Sequence, residues 1–144
     1  MKIINSNYDE QTGISTVTIG TKYGQFTGKA RLHPNDITIA SKIAGCRYAE
    51  FRATIKYLKA EQKDLKQQLK TFIDFYLNIC QHSRFNEKEY TNIQIRKRID
   101  KLQRDIEINK AIIKNIEMVM KHDIEQREQL KSYIKNKNKT GKNE

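Results

Sequence analysis

The sequence predicts an α+β protein: an N-terminal antiparallel β-meander plus a short helix, followed by a long antiparallel α-helical, coiled-coil-like hairpin. Three observations predict it. Residues 2–32 mix β-branched and polar side chains in runs broken by turn residues. Apolar seams then recur at alternating spacings of four and three over residues 51–79 and 95–120. Finally, Phe-Ile-Asp-Phe-Tyr-Leu-Asn-Ile-Cys at residues 72–80 carries apolar or aromatic side chains around nearly the whole circumference of its helix, a surface that must be covered.

The strands are expected over residues 2–6, 14–21 and 25–32, punctuated by residues 9–13 and by Tyr23-Gly24. On the third strand Phe26, Gly28, Ala30 and Leu32 share one face, and Val17 and Ile19 join it from the second strand; Gln25, Thr27, Lys29, Arg31 and His33 form a basic row on the other face. Pro34 and Gly45 bracket a helix of about three turns. The first long helix then runs from Arg47 to about Gln81, with its seam at Phe51, Ile55, Leu58, Gln62, Leu65, Leu69, Phe72, Tyr76 and Ile79.

A short link follows, and Asn86 with Glu89 has the spacing of a helix cap. The second seam comprises Ile95, Ile99, Leu102, Ile106, Asn109, Ile113, Ile116 and Met120, and Asp123 and Arg127 break it. Folding the hairpin sets Gln62 near Ile106 and Asn109, a polar layer that fixes register. The last helix outruns its partner by about a dozen residues, close to 20 Å, and that overhang is expected against the meander. The resulting division is 1–45 meander and short helix, 46–134 hairpin, and 135–144 basic disordered tail, one structural unit overall.

Both long helices carry apolar residues beside their seams. Ile73, Leu77 and Cys80 flank one; Ile108, Ile112 and Val119 flank the other. Two-sided apolar helices predict a homo-oligomer joined through Phe72, Ile73, Phe75, Tyr76, Leu77, Ile108, Ile112 and Val119.

The chain of 144 residues holds 28 basic and 17 acidic groups, a formal charge of +11 that suits nucleotides, nucleic acid or an acidic protein surface. Lysine and isoleucine supply 20 residues each, so AT-rich codon usage is an alternative source of the basicity. Charge is spread along the chain, and only residues 135–142 are dense in lysine. With no apolar signal segment behind Met1, and no greasy run long enough for a bilayer, a cytoplasmic protein without a membrane partner is expected.

Cys46 and Cys80 on one helix would lie about 50 Å apart, beyond disulfide reach. His33, His82 and His122 sit on separate elements without metal-ligand spacing, and no metal or cofactor is expected. Glycines 20, 24 and 28 do not precede a helix as a phosphate loop would, and no nucleophile has a base and an orienting acid at hand. Catalysis is therefore not expected.

The candidate ligand site joins Lys29, Arg31 and His33 on the strand to Arg47 and Arg52 on the helix, with Tyr23 or Tyr48 to stack a base. A solvated polar sheet face is the plain alternative. Arg96, Lys97, Arg98, Lys101 and Arg104 are a second basic group, but they spread around their helix among acidic residues, as helix-surface ion pairs do.

Tyr23-Gly24-Gln25-Phe26-Thr27-Gly28-Lys29-Ala30, His33-Pro34-Asn35-Asp36, Ala44-Gly45-Cys46 and Ala49-Glu50-Phe51-Arg52-Ala53 resemble a mostly uncharacterised family of small accessory proteins from phages of low-GC Gram-positive bacteria. The resemblance covers roughly residues 10–60. It implies an accessory protein acting in an infected bacterial cytoplasm, where such proteins commonly counter host defences or redirect host machinery. The expected function is thus non-enzymatic binding of an anionic ligand, such as a nucleotide immune signal, or of a host defence protein. A nucleic-acid-binding accessory protein and a structural coiled-coil adaptor are the alternatives.

Overall fold

The computed structural model describes residues 1–31, 39–82 and 87–141. Three strands, β1 (Lys2–Asp9), β2 (Ile14–Thr21) and β3 (Gly24–Arg31), form an antiparallel sheet in sequence order. Two helices follow, α1 (Ile39–His82) and α2 (Glu87–Gly141). The α+β meander-and-hairpin architecture is therefore present, with β1 three residues longer than its sequence pattern suggested.

Each turn has a chemical cause. Between β1 and β2 the Asp9 side chain accepts the Gln11 amide at 2.9 Å, and its carbonyl accepts the Gly13 amide at 2.8 Å. Between β2 and β3 the two-residue loop Lys22–Tyr23 closes with Gly24 at φ 109°, a left-handed conformation that a side chain would strain. The Thr21 hydroxyl holds this turn, accepting the Tyr23 amide at 3.2 Å and donating to the Gly24 carbonyl at 2.9 Å.

Alternation sorts the sheet's faces as expected. Ser15, Val17 and Ile19 are buried on β2 opposite Ala30, Gly28 and Phe26 of β3, and this face receives α1. The helix meets it with Ala49 and Ala53, both fully buried. Backbone approaches backbone here: a Cβ on Gly28 would lie 1.9 Å from the Ala49 carbonyl oxygen. Small residues on both sides let Val17 and Ile19 bury completely, worth about 1.5–3 kcal/mol each.

The separate short helix is not observed. α1 passes without interruption through Ala44, Gly45 and Cys46, so no boundary falls at residue 45. Gly45 is buried. Glycine lowers helix propensity by only about 1 kcal/mol, which tertiary packing overrides. The expected start at Pro34 and the Asn86–Glu89 cap lie outside the described residues.

α1 is the middle layer. The sheet packs on one side of it and α2 on the other, and α2 does not pack on the sheet. The overhang expected against the meander therefore lies elsewhere: α1 already fills the sheet's apolar face, and α2 from residue 128 onward is exposed all round. Residues 135–141, expected to be disordered, continue the helix, where the Thr140 hydroxyl donates to the Asn136 and Lys137 carbonyls. Extending an existing helix adds one hydrogen bond per residue fixed without a new nucleus.

The hairpin seam follows the four-three pattern. Ile95, Leu102, Ile106, Asn109 and Ile113 are buried on α2, as is Leu58 on α1. The polar layer has different partners from those expected, because Asn109 Nδ2 donates to the Leu58 carbonyl at 3.0 Å and to Glu61 at 3.1 Å rather than to Gln62.

Candidate functional site

The residues expected to share one basic cleft are dispersed. Because Phe26, Gly28 and Ala30 face α1, the intervening Lys29 and Arg31 project from the opposite face of β3, and both are exposed. Arg52 reaches the strand's backbone, donating from Nη1 to the Lys29 carbonyl at 2.6 Å. One turn further along α1, Lys56 Nζ donates to the Thr27 carbonyl at 2.6 Å. The two cations thus occupy carbonyls on the outer edge of β3, which would otherwise be a template for another strand. His33 lies outside the described residues.

Arg47 and Tyr48 belong to a different cluster, between α1 and α2. The Tyr48 hydroxyl donates to Asp123 Oδ2, and Arg127 Nε donates to the same oxygen at 3.3 Å while its guanidinium lies 5.9 Å from the Tyr48 ring centre. The Tyr48 hydrogen bond, followed by Arg127 and Arg47, holds the Asp123 carboxyl below its ordinary value of 3.8. Burial and the Asp123 hydrogen bond push the Tyr48 phenol above 10.0. Asp123 and Arg127 were legible as a break in the seam, although their partner was not.

Tyr23 sits at the other end of the sheet. Its hydroxyl donates to Asp64 Oδ2 at 3.0 Å, and its ring packs 6.1 Å from that of Tyr57. Burial raises its phenol above 10.0, with Lys22 opposing and Asp64 adding to the shift. Asp64 and Tyr48 are about 24 Å apart along α1, so Tyr23 and Tyr48 do not flank one ligand.

A groove of about 430 Å³ opens beside Tyr23. Its walls are Lys22 and Tyr23 from the β2–β3 turn, Glu61, Leu65 and Gln68 from α1, and Arg98, Lys101, Leu102, Asp105, Ile108, Asn109 and Ile112 from α2. Lys22 Nζ lies 4.9 Å from the Tyr23 ring centre. Asn109 is 3% exposed, and its Oδ1 is buried without a hydrogen-bond partner among the described residues. Both amide hydrogens are committed to Leu58 and Glu61, which leaves the oxygen as the acceptor. The signal in sequence was a single asparagine in an isoleucine seam; nothing there indicated that Lys22 would line the same groove.

The residues expected at an oligomer interface divide by exposure. Phe75, Leu77, Ile108, Ile112 and Val119 are exposed, whereas Phe72, Ile73 and Tyr76 are half-buried. Arg96 covers Tyr76, donating to its hydroxyl at 3.1 Å, and the Arg98 guanidinium lies 5.8 Å from the Phe72 ring centre. The basic group on α2 is therefore partly spent on aromatic faces.

Among the described residues no group of three or more His, Cys, Asp or Glu is placed to hold a metal ion, and no helix is long and apolar enough to cross a membrane. With this geometry set against known proteins, no family model, curated protein or solved structure matches the chain.

Proposed function

We propose that the chain is a non-enzymatic binding protein, a phage accessory protein of the kind its sequence resembles, which counters host immunity by holding an anionic ligand in the groove between the Lys22–Tyr23 turn and the hairpin. One observation carries the reading: Asn109, whose side-chain oxygen is buried and unpartnered among the described residues, is a wall residue of a groove that also presents Lys22, Arg98 and Lys101. An unpaired buried acceptor costs about 1–3 kcal/mol. A ligand that brings an N–H or O–H donor together with phosphate satisfies both the amide and the cations, and nucleotide immune signals have that chemistry.

Native mass spectrometry of the protein recovered from infected cells should find a retained phosphate-bearing adduct. Lys22→Ala and Arg98→Ala should each weaken binding of that adduct by about tenfold, as loss of a charged hydrogen bond does, without altering the mass of the protein assembly. Arg31→Ala should leave binding unchanged. Undiminished binding in both groove variants rejects the site.

Nucleic acid is the second reading, favoured by the exposed helical extension of α2 that carries Lys135, Lys137 and Lys139. Its signature is affinity that falls steeply with salt, with a log–log slope of about −0.9 per phosphate contacted.

A further inference from the structure

The two edges of the sheet are treated differently. β3 is guarded, because Arg52 and Lys56 bond to its Lys29 and Thr27 carbonyls. β1 is open: all its residues except Tyr8 are exposed, it meets only β2 and, slightly, α1, and no described side chain bonds to the backbone of residues 2–8. Long unprotected edges are ordinarily blunted by charge, proline or a covering segment. We infer that β1 is a self-pairing edge, at which two copies of this chain join antiparallel about a two-fold axis at Ser6 and merge their sheets into one.

The register supports this occupant. β1 carries an irregularity between Ile3 and Asn5, so that Ile3 opposes Ile19 while Asn5 opposes Thr18. Without it Lys2 and Asp9, an odd number of residues apart, would point to opposite faces. With it, both lie on the face away from α1, opposite Gly20 and Ile14. An axis at Ser6 then sets Asn5 against Asn7 of the second copy, Ile3 against its Tyr8 on the helix face, and Lys2 against its Asp9 on the open face.

Every residue of β1 except Ile4, the extra residue at the irregularity, finds an opposite number in this register, and two ion pairs close its ends. An axis at Asn5 would leave Tyr8 and Asp9 unpaired, and one at Asn7 would leave Lys2 and Ile3 unpaired. Lys2 makes no ion pair among the described residues and Ile3 is 48% exposed, so both are available. α1 lies mainly over β2 and β3 and touches the β1 margin only lightly, chiefly where the Lys42 ammonium stands 4.9 Å from the Tyr8 ring centre. The surface is separate from the groove and from the hairpin stripe, and it stands without either.

Cysteine cross-linking tests it. In a chain with Cys46→Ala and Cys80→Ala, Ser6→Cys places two thiols on residues about 4.5–5.5 Å apart at Cα across the axis, within disulfide range. Mild oxidation should convert most of this variant to a covalent dimer, whereas Thr16→Cys on the central strand should give less than about a tenth as much. Adding Lys2→Glu, which sets like charges at both ends, should slow cross-linking about tenfold. The inference is overturned if Ser6→Cys cross-links no better than Thr16→Cys. It is equally overturned if β1 amides are protected by a foreign extended segment while Ser6→Cys remains monomeric.

Discussion

At Gly28 a single methyl group decides whether the sheet can reach α1. Its Cβ would meet the Ala49 carbonyl oxygen at 1.9 Å and the Ala53 amide nitrogen at 2.5 Å, backbone atoms with no rotamer to escape into. Gly28→Ala should therefore destabilise the fold by about 2–4 kcal/mol, at the upper end of over-packing, read as a lower denaturant midpoint. Asp123 supplies a pH-dependent counterpart. Its folded pKa is depressed, so its contribution is present above the unfolded value and disappears as pH falls through the folded one. Asp123→Asn should thus be less stable than the parent at pH 7 and indistinguishable from it in strong acid, as compared by urea midpoints. The alternation that buries Gly28 was legible in sequence because strand parity is local. The Tyr48–Asp123 contact was not, because it joins residues 75 positions apart whose meeting depends on the register of the whole hairpin.

Elements were more legible than their joints. The seam from Ile95 to Ile113 predicted the buried face of α2, with only Ile99 half-buried among its positions, since its period is a property of one helix. The break at Gly45 failed because helix-stopping signals are weak priors, outweighed here by packing that occupies Ala44, Ala49 and Ala53 together. The basic cluster is met only in part: α1 does bring Arg52 to Lys29, but onto its carbonyl, where with Lys56 it covers the edge of β3, while Tyr48 turns to Asp123 of α2. Replacing both Arg52 and Lys56 with alanine should change stability by less than about 1 kcal/mol while increasing light scattering at high concentration, because the bared strand recruits others. A doubly substituted chain that stays as dispersed as the parent would contradict that role.

The whole molecule leaves Phe75, Leu77, Ile108, Ile112 and Val119 exposed along the hairpin. Association through this stripe is the expectation drawn from sequence, and it predicts that Leu77→Glu with Ile112→Glu lowers the sedimentation mass at micromolar concentration while the helical circular dichroism persists. Equal mass before and after substitution would assign the stripe no role in assembly.

The sheet and α2 are neighbours of α1 rather than of each other, so the chain is a stack held by its centre. Such a stack comes apart in order. α2 can peel off from its bare far end while the strands still grip α1, so amides beyond residue 127 should exchange with deuterium within seconds and those of Val17 and Ile19 last of all. A small molecule wedged between the Lys22 turn and α2 would tie the outer layers directly, and the delay it imposes on peeling offers a readout of occupancy that needs no knowledge of the ligand's name.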